Sequence, residues 1–374
     1  MSRLNILYVT TVSSTMGFFP EHIKMLQGEG HTVELACNLD KPLPGEIVSL
    51  ACSQHHIPFS RSPFCKDNLA AYRALKKLLS ENRYDIVHTH TPNASALVRL
   101  ACRKLRRAGT KVFYTAHGFH FYTGAPLKNW LLYYPIEWLC SWITDDLITI
   151  NQEDYERAKR HLHAKKTHYV SGVGVDIDKF SKPIVSREEK RAALKIPLNA
   201  IVITSVGELN ANKNHIVVIR ALSIINDKNV RYLIAGEGRQ RTFLQNEINN
   251  RGLQDQVILL GHRSDIADLY HASDICAFPS IREGQGIAAI EGMAAGLPLL
   301  ISDHRGTRGF IHNGENGIVS KYNDVSAFAE GIAFLAQNEK IRADMGNRNR
   351  TLSKQFHIDI ITSKMKEIYE DARK

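Results

Sequence analysis

The chain has 374 residues, 44% hydrophobic and 23% charged, which fits a globular protein large enough for two domains with sizeable cores. No apolar run approaches the roughly 20 residues needed to span a bilayer, so no helix is expected to cross a membrane. The net charge is +10, carried mostly by the first half: residues 1–174 hold 21 Lys and Arg against 14 Asp and Glu, the remainder 27 against 24.

The start, MSRLNILYVTTVSS, carries one Arg and an apolar run too short for a signal peptide, so NILYVTTV (5–12) reads as a first strand. TVELAC (32–37), DIVHTH (85–90), KVFYTAHG (111–118) and DLITIN (146–151) follow as short apolar or β-branched runs, with helical patterns at 68–81 and 94–108 between them. Continuous apolar strands alternating with helices imply a parallel sheet covered on both faces. Within this half, RLACRKLRRAGTK (99–111) gathers Arg99, Arg103, Lys104, Arg106, Arg107 and Lys111. A solvated helix face, a nucleic-acid patch and attraction to an anionic membrane all remain open for it. Nucleic acid ranks last, because no recognition module accompanies the charge. NWLLYYPIEWLCSWI (129–143) is equally open between a buried helix and an interfacial one.

A Gly-rich junction at 171–183 precedes a second series, beginning at IVITSVGEL (201–209) and continuing through RYLIAGEG, QVILLGH, DICAFPS and LPLLISD. Two such series predict two doubly wound α/β domains, residues 1–172 and 173–355, with the helical tail 356–374 packing back on the first. The six cysteines (37, 52, 65, 102, 140, 276) form no C-x-x-C pair and fit a reducing cytoplasm. DID (176–178) reads as a turn rather than a metal motif, HTH and HLH have too few partners for a metal, and no cofactor is implied. Glycines in GVGV and GEGR lack the context of a dinucleotide fingerprint.

The chemistry concentrates at strand ends. In FPSIREGQGIAAIEGMAAGLP, a strand feeds a loop with Glu283, Gly284, Gln285 and Gly286; a helix starting near Ile287 carries Glu291 and stops at Gly296 and Pro298. Free amides at such a helix start favour an anion, and carboxylates accept from sugar hydroxyls. The combination points to a nucleotide sugar, against the plainer reading of a cap with one exposed Glu. SVGELNANKNHIVVIRAL (205–222) repeats strand, loop and helix, with Glu208, Asn212 and Lys213 in the loop. A cation there can neutralise a diphosphate, although a lone lysine is more often simply exposed.

The Glu283-x7-Glu291 spacing, the 207–214 segment, GHRSDIADLYHASDICAFPS (261–280) and YTAHGFHFYTGAP together resemble retaining glycosyltransferase family 4 of the GT-B fold, within its capsular and exopolysaccharide subgroup. The resemblance implies two Rossmann-like domains facing a central cleft. It implies Glu283 on the transferred sugar, Glu291 on the ribose, and the Gly286 and Ile287 amides with Lys213 on the diphosphate. Arg263 would border the base, Gly17 would let the diphosphate approach, and His117 would lie near the reacting sugar, so that His117, Lys213 and Glu283 form the catalytic set. Two departures stand out: Met16 where many relatives have a second glycine, and Glu208 where many have Arg. Glu208 would order Lys213 or Asn212, or be a spectator. The implied reaction is front-face transfer of a hexose or N-acetylhexosamine, UDP-linked in the subgroup, to a saccharide on a polyprenyl diphosphate at the inner membrane face. A GT-B epimerase and an inactive nucleotide-sugar-binding protein are the alternatives.

Overall fold

The computed structural model describes residues 3–63 and 65–372. They form two compact units, residues 1–174 with 358–374 and residues 175–357, so the chain passes between units twice.

Among the described residues of the first unit, seven strands form one parallel sheet: β1 (Asn5–Val12), β2 (Thr32–Asn38), β3 (Ser53–His56), β4 (Ile86–Thr89), β5 (Lys111–Ala116), β6 (Asp146–Thr149) and β7 (Lys166–Tyr169), in the order β3-β2-β1-β4-β5-β6-β7. β1 and β4 are central and apolar, with Ile6, Leu7, Tyr8 and Val9 fully buried. The edges β3 (SQHH) and β7 (KTHY) are polar and escape apolar patterning. In the second unit, β8 (Ile201–Val206), β9 (Val230–Ala235), β10 (Val257–Gly261), β11 (Ile275–Phe278), β12 (Leu299–Ser302) and β13 (Gly317–Ser320) are ordered β10-β9-β8-β11-β12-β13, again all parallel. Successive residues of β11 and β12 feed opposite cores. Ile275, Ala277 and Leu300 join one, and Cys276, Phe278, Leu299 and Ile301 the other. In both sheets the strand order reverses at one point, β1/β4 and β8/β11, where the crevice outside the carboxyl ends receives ligands in open α/β folds.

The basic stretch at 99–111 does not form one face. Its helix is Pro92–Cys102, and a separate 3-10 turn covers Leu105–Ala108. Arg99 is buried, with its guanidinium 2.8 Å from Glu137 and 4.3 Å above the Tyr114 ring. Arg106 pairs with Asp145 through two 2.8 Å hydrogen bonds. For these two arginines all three surface readings fail, because the charge is consumed inside the unit; Arg103, Lys104 and Arg107 stay exposed. The segment 129–143 lies on the helix Leu127–Ser141, which is both buried and exposed. Trp130, Tyr133 and Tyr134 pack on Phe119 and Phe121, while Leu127, Leu131, Trp138, Leu139 and Trp142 are exposed. Spacings of 127, 131, 138 and 142 place these side chains on one outer face. No helix among the described residues is long and apolar enough to cross a membrane.

The DID segment is a helix start: Asp176 caps Ile177–Ser181 by accepting from Lys179 N at 3.0 Å. The C-terminal helix, Ile358–Asp371, buries Ile361, Met365, Ile368 and Tyr369 in the first unit. Tyr369 Oη meets His88 Nδ1 at 2.5 Å, and His88 Nε2 meets Thr115 Oγ1 at 2.8 Å, so the last helix is tied to β4 and β5. Ion pairs Lys366–Glu29 and Lys166–Asp371, each 2.6 Å, sit on its surface.

All three tryptophans (130, 138, 142) lie in the first unit, so their fluorescence reports that unit alone. Tyr369→Ala is expected to lower its stability by about 3–4 kcal/mol, read as an earlier urea transition of tryptophan emission.

Candidate active site

In the second unit, two loops leave the carboxyl ends of the neighbouring strands β8 and β11. One carries Glu208, Asn212 and Lys213; the other carries Glu283 to Gly286. They are sewn together: Ile281 N donates to Asn212 O (2.7 Å), Asn212 Nδ2 donates to Arg282 O (2.9 Å), and Lys213 Nζ donates to Glu283 Oε1 (2.9 Å). Asn214 begins the helix His215–Ile225 in the left-handed region, at φ 53°, where asparagine is among the tolerated residues. From there its amide donates to Pro279 O (3.1 Å) and Tyr322 O (2.7 Å), pinning the end of β11.

Lys213 is held from several sides. Its stem runs along Gly207, where an added Cβ would stand 3.0 Å from Lys213 Cε. Its ammonium also lies 5.2 Å from the Phe278 ring centroid. Glu208 touches neither Lys213 nor Asn212; its carboxylate accepts from Asn210 Nδ2 (3.0 Å), and Asn210 Oδ1 accepts from Lys213 N (2.9 Å). Glu208 therefore orders Lys213 through Asn210, a residue not singled out from sequence because its role depends on how the loop folds back. The glycines of GEGR also find a role. A Cβ at Gly236 would lie 1.9 Å from Gly207 O, so Gly236 lets the two loops touch.

The helix Ile287–Ala294 has Gly286 as its N-cap, in the left-handed region at φ 86°. Ala289 N and Ile290 N donate to Gly286 O (3.0 and 3.3 Å), so among the described residues the first-turn amides left without a partner are those of Ile287 and Ala288. A side chain at Gly286 would meet Phe278 Cε1 at 2.9 Å, which confines the position to glycine on packing as well as on φ. The helix ends in a Schellman pair, Gly296 N to Met293 O (2.9 Å) and Leu297 N to Gly292 O (3.0 Å).

Glu291, on this helix, is half-buried, and burial raises its pKa to about 7, with Lys179 and Lys213 opposing the shift. His304, just past β12, adds a group that sequence reasoning missed. It is buried, both ring nitrogens lack a hydrogen-bond partner, and its centroid is 5.6 Å from that of Phe278. Burial lowers its pKa to about 4, so the ring is neutral at pH 7. Its position after a strand end was the one signal available. Arg263 follows β10 and is already paired: Asp265 accepts from its Nε (2.8 Å) and Nη2, and also pairs with Lys190. Those hydrogen bonds, the Arg263 one foremost, hold the Asp265 carboxyl well below its usual range.

Gly17 and His117 belong to the first unit. Gly17 lies in the 3-10 turn Ser13–Phe18 that follows β1, and a Cβ there would meet Pro44 Cγ at 3.2 Å. His117 follows β5; its Nε2 is 3.3 Å from His90 Nδ1, and Phe19 packs on both rings. Burial, reinforced by His22, lowers the His117 pKa to about 4, leaving a neutral imidazole suited to hydroxyl groups.

Comparison with known proteins places this geometry. The family model described as glycosyl transferases group 1 matches residues 186–352, and that described as glycosyltransferase family 4 matches residues 21–179. The chain is 39% identical to the putative glycosyltransferase EpsD of Bacillus subtilis over 97% of this chain and 96% of that protein. It is 27% identical to the Escherichia coli UDP-Gal:alpha-D-GlcNAc-diphosphoundecaprenol alpha-1,3-galactosyltransferase, covering 94% and 92%. In fold it matches Anabaena HepE, crystallised with UDP, at a TM-score of 0.81 and 18% identity, covering 98% and 100%.

The Glu291 shift predicts a pH effect on stability. The folded value, about 7, lies above the usual carboxyl value, so the native state holds the proton more tightly. No penalty exists below the ordinary carboxyl value; one grows as pH rises from there towards 7, where the unfolded chain ionises and the native state does not, and it is complete above 7. Glu291→Gln is expected to stabilise the protein at pH 8, by on the order of 2–3 kcal/mol, and to leave it unchanged near pH 4.5, as measured by calorimetric unfolding.

Proposed function

The chain belongs to glycosyltransferase family 4, with the GT-B fold and in its capsular and exopolysaccharide subgroup, and from that premise we propose that it transfers a hexose or N-acetylhexosamine from a UDP-sugar, with retention, to a lipid-linked saccharide. The observation that carries the donor assignment is the Lys213–Glu283 pair at the β8/β11 switch point, beside a glycine-started helix and a carboxylate with no side-chain cation bound to it. Each part suits one piece of the donor. Lys213 and the Ile287 and Ala288 amides take the diphosphate, where the helix dipole also favours negative charge. Glu291 accepts from the ribose hydroxyls and Glu283 from the sugar. An arriving diphosphate competes with Glu283 for Lys213, which frees the Glu283 carboxylate for the hydroxyls of the sugar.

In the reaction the bond from C1 to the diphosphate oxygen breaks and a bond from C1 to the acceptor oxygen forms on the same face. The acceptor proton passes to the departing diphosphate. Lys213 offsets the charge that builds on that group, so its effect is largest in the transition state. Glu283 is engaged with Lys213 and Asn212, which favours a binding role for it over a covalent one. No metal enters the scheme, since Lys213 and the amides serve the diphosphate.

The acceptor reading draws on the diphosphoundecaprenol-linked acceptor named for the Escherichia coli relative. The reading of a peripheral contact with an anionic inner-membrane face draws support from the exposed outer face of Leu127–Ser141, with Leu127, Leu131, Trp138 and Trp142 aligned on it. Exposed leucine and tryptophan side chains of this kind can enter the interfacial region without the helix crossing the bilayer.

Two measurements test these readings. Lys213→Ala is expected to lower kcat/KM for the donor found in a thermal-shift panel of nucleotide sugars by about 100- to 1,000-fold; unchanged turnover would sink the donor site. Leu131→Asp combined with Leu139→Asp should abolish co-sedimentation with phosphatidylglycerol vesicles while leaving UDP affinity intact; undiminished vesicle binding would discard the contact through this helix.

A further inference from the structure

The first unit has its own switch point, between β1 and β4, and a pocket of about 230 Å³ lies there, lined by Thr15, Arg61, Thr91, Asn93, His120 and Tyr133 among others. We propose that this pocket binds the diphosphate and adjoining sugar of the acceptor, with Arg61 as the anion-binding group; the assignment rests on the glycosyltransferase reading above.

Like Arg103 and Arg107, Arg61 has no carboxylate partner among the described residues, and of these three it is the one that lines this pocket. Arg99, Arg106 and Arg157 are each paired with a carboxylate. The Arg61 side chain is exposed and has no hydrogen bond or ion pair among the described residues. Yet its backbone is fixed from three elements. Asn38, at the end of β2, donates to Phe59 O (3.1 Å). Asn68, in the helix Asp67–Glu81, accepts from Ser60 N (3.2 Å) and donates to Ser62 O (2.8 Å). Asn93, in the helix Pro92–Cys102, donates to Ser60 O (3.2 Å) and Arg61 O (2.5 Å). Three asparagines thus hold the segment that carries one unpaired guanidinium. A planar fork on a fixed backbone loses little freedom when it closes on a phosphate, and it can bond two phosphate oxygens at once.

The surroundings extend the site beyond a bare anion. Thr91 is committed to the scaffold, accepting from Thr11 N (2.9 Å) and sharing a 2.5 Å hydroxyl contact with Thr11 Oγ1. That bond fixes the start of the helix Pro92–Cys102, whose first-turn amides add partial positive charge at the pocket. The hydroxyls of Thr15 and Tyr133 have no partner of their own among the described residues and suit sugar hydroxyls. Tyr133 stacks on His120 at 4.4 Å and 26°, giving one wall an aromatic surface against which the apolar face of a sugar ring can lie. One cation, free hydroxyls and an aromatic wall fit a saccharide joined to a diphosphate better than either component alone.

The test uses the full-length protein saturated with UDP and isothermal titration with three probes: N-acetylglucosamine on citronellyl diphosphate, octyl N-acetylglucosaminide, and inorganic diphosphate. Arg61→Gln is expected to weaken the citronellyl diphosphate probe about tenfold or more, the loss of one charge-assisted fork, and to leave the octyl probe and UDP unchanged. Equal weakening of both glycan probes, or none, overturns the assignment. So does inorganic diphosphate binding as tightly as the citronellyl probe, which would mark a general anion site. Failure of the wild-type protein to bind UDP would instead strike the donor reading, and the two failures are therefore distinguishable.

Discussion

The hydrogen bonds that sew residues 210–214 to residues 279–283 are the constraint on which the candidate donor site depends. β8 and β11 lie side by side because the strand order reverses between them, and their following loops would otherwise diverge. Ile281 N on Asn212 O closes the gap between backbone groups, and the short Asn212 and Asn214 side chains add bonds to the Arg282 and Pro279 carbonyls, with far less freedom than long side chains would have. The Lys213–Glu283 pair then forms on a frame already set. Gly207, Gly236 and Gly286 serve the same frame, since a Cβ at each would push apart elements that must touch. Glu208 acts at one remove, through Asn210.

The first unit solves a different problem. Its sheet is completed by a helix from the far end of the chain, tied through Tyr369 to His88. Around that tie lies a set of imidazoles, His22, His88, His90 and His117, which burial keeps neutral by lowering each pKa. Charging any of them would place cations together away from water. Neutral rings can stack, as His90 does on Tyr8, and can still hydrogen-bond a hydroxyl group. The helix Leu127–Ser141 shows how one segment serves two surroundings: Trp130 and Tyr134 pack inward while Leu131 and Trp142 remain exposed.

Much of this was legible along the chain. Central strands of parallel sheets are buried on both faces, so NILYVTTV, DICAFPS and LPLLISD stand out as apolar runs. His117 follows β5, Lys213 lies in the loop after β8 and Glu283 in the loop after β11, so each sits beyond a strand's carboxyl end. Polar edge strands such as SQHH and KTHY carry no such signature, because one side of an edge needs no apolar residues. Burial of Arg99 was equally hidden: its partner Glu137 lies on another helix, 38 positions away, and helical periodicity around residue 99 reads the same whether the charge faces water or a carboxylate.

By itself the sequence determined two parallel α/β sheets, the strand ends that carry the candidate site residues, and the family to which the chain belongs, since these depend on local patterning and on motif spacing. The tertiary structure decided which charges are spent on the fold and which remain for a ligand. Arg99 and Arg106 are consumed, Arg61 is held open, Asn210 links Glu208 to Lys213, and Glu291 is sheltered enough to titrate near neutrality. Each outcome depends on which distant groups meet and how much water they exclude, and electrostatic energy follows distance and burial rather than position along the chain.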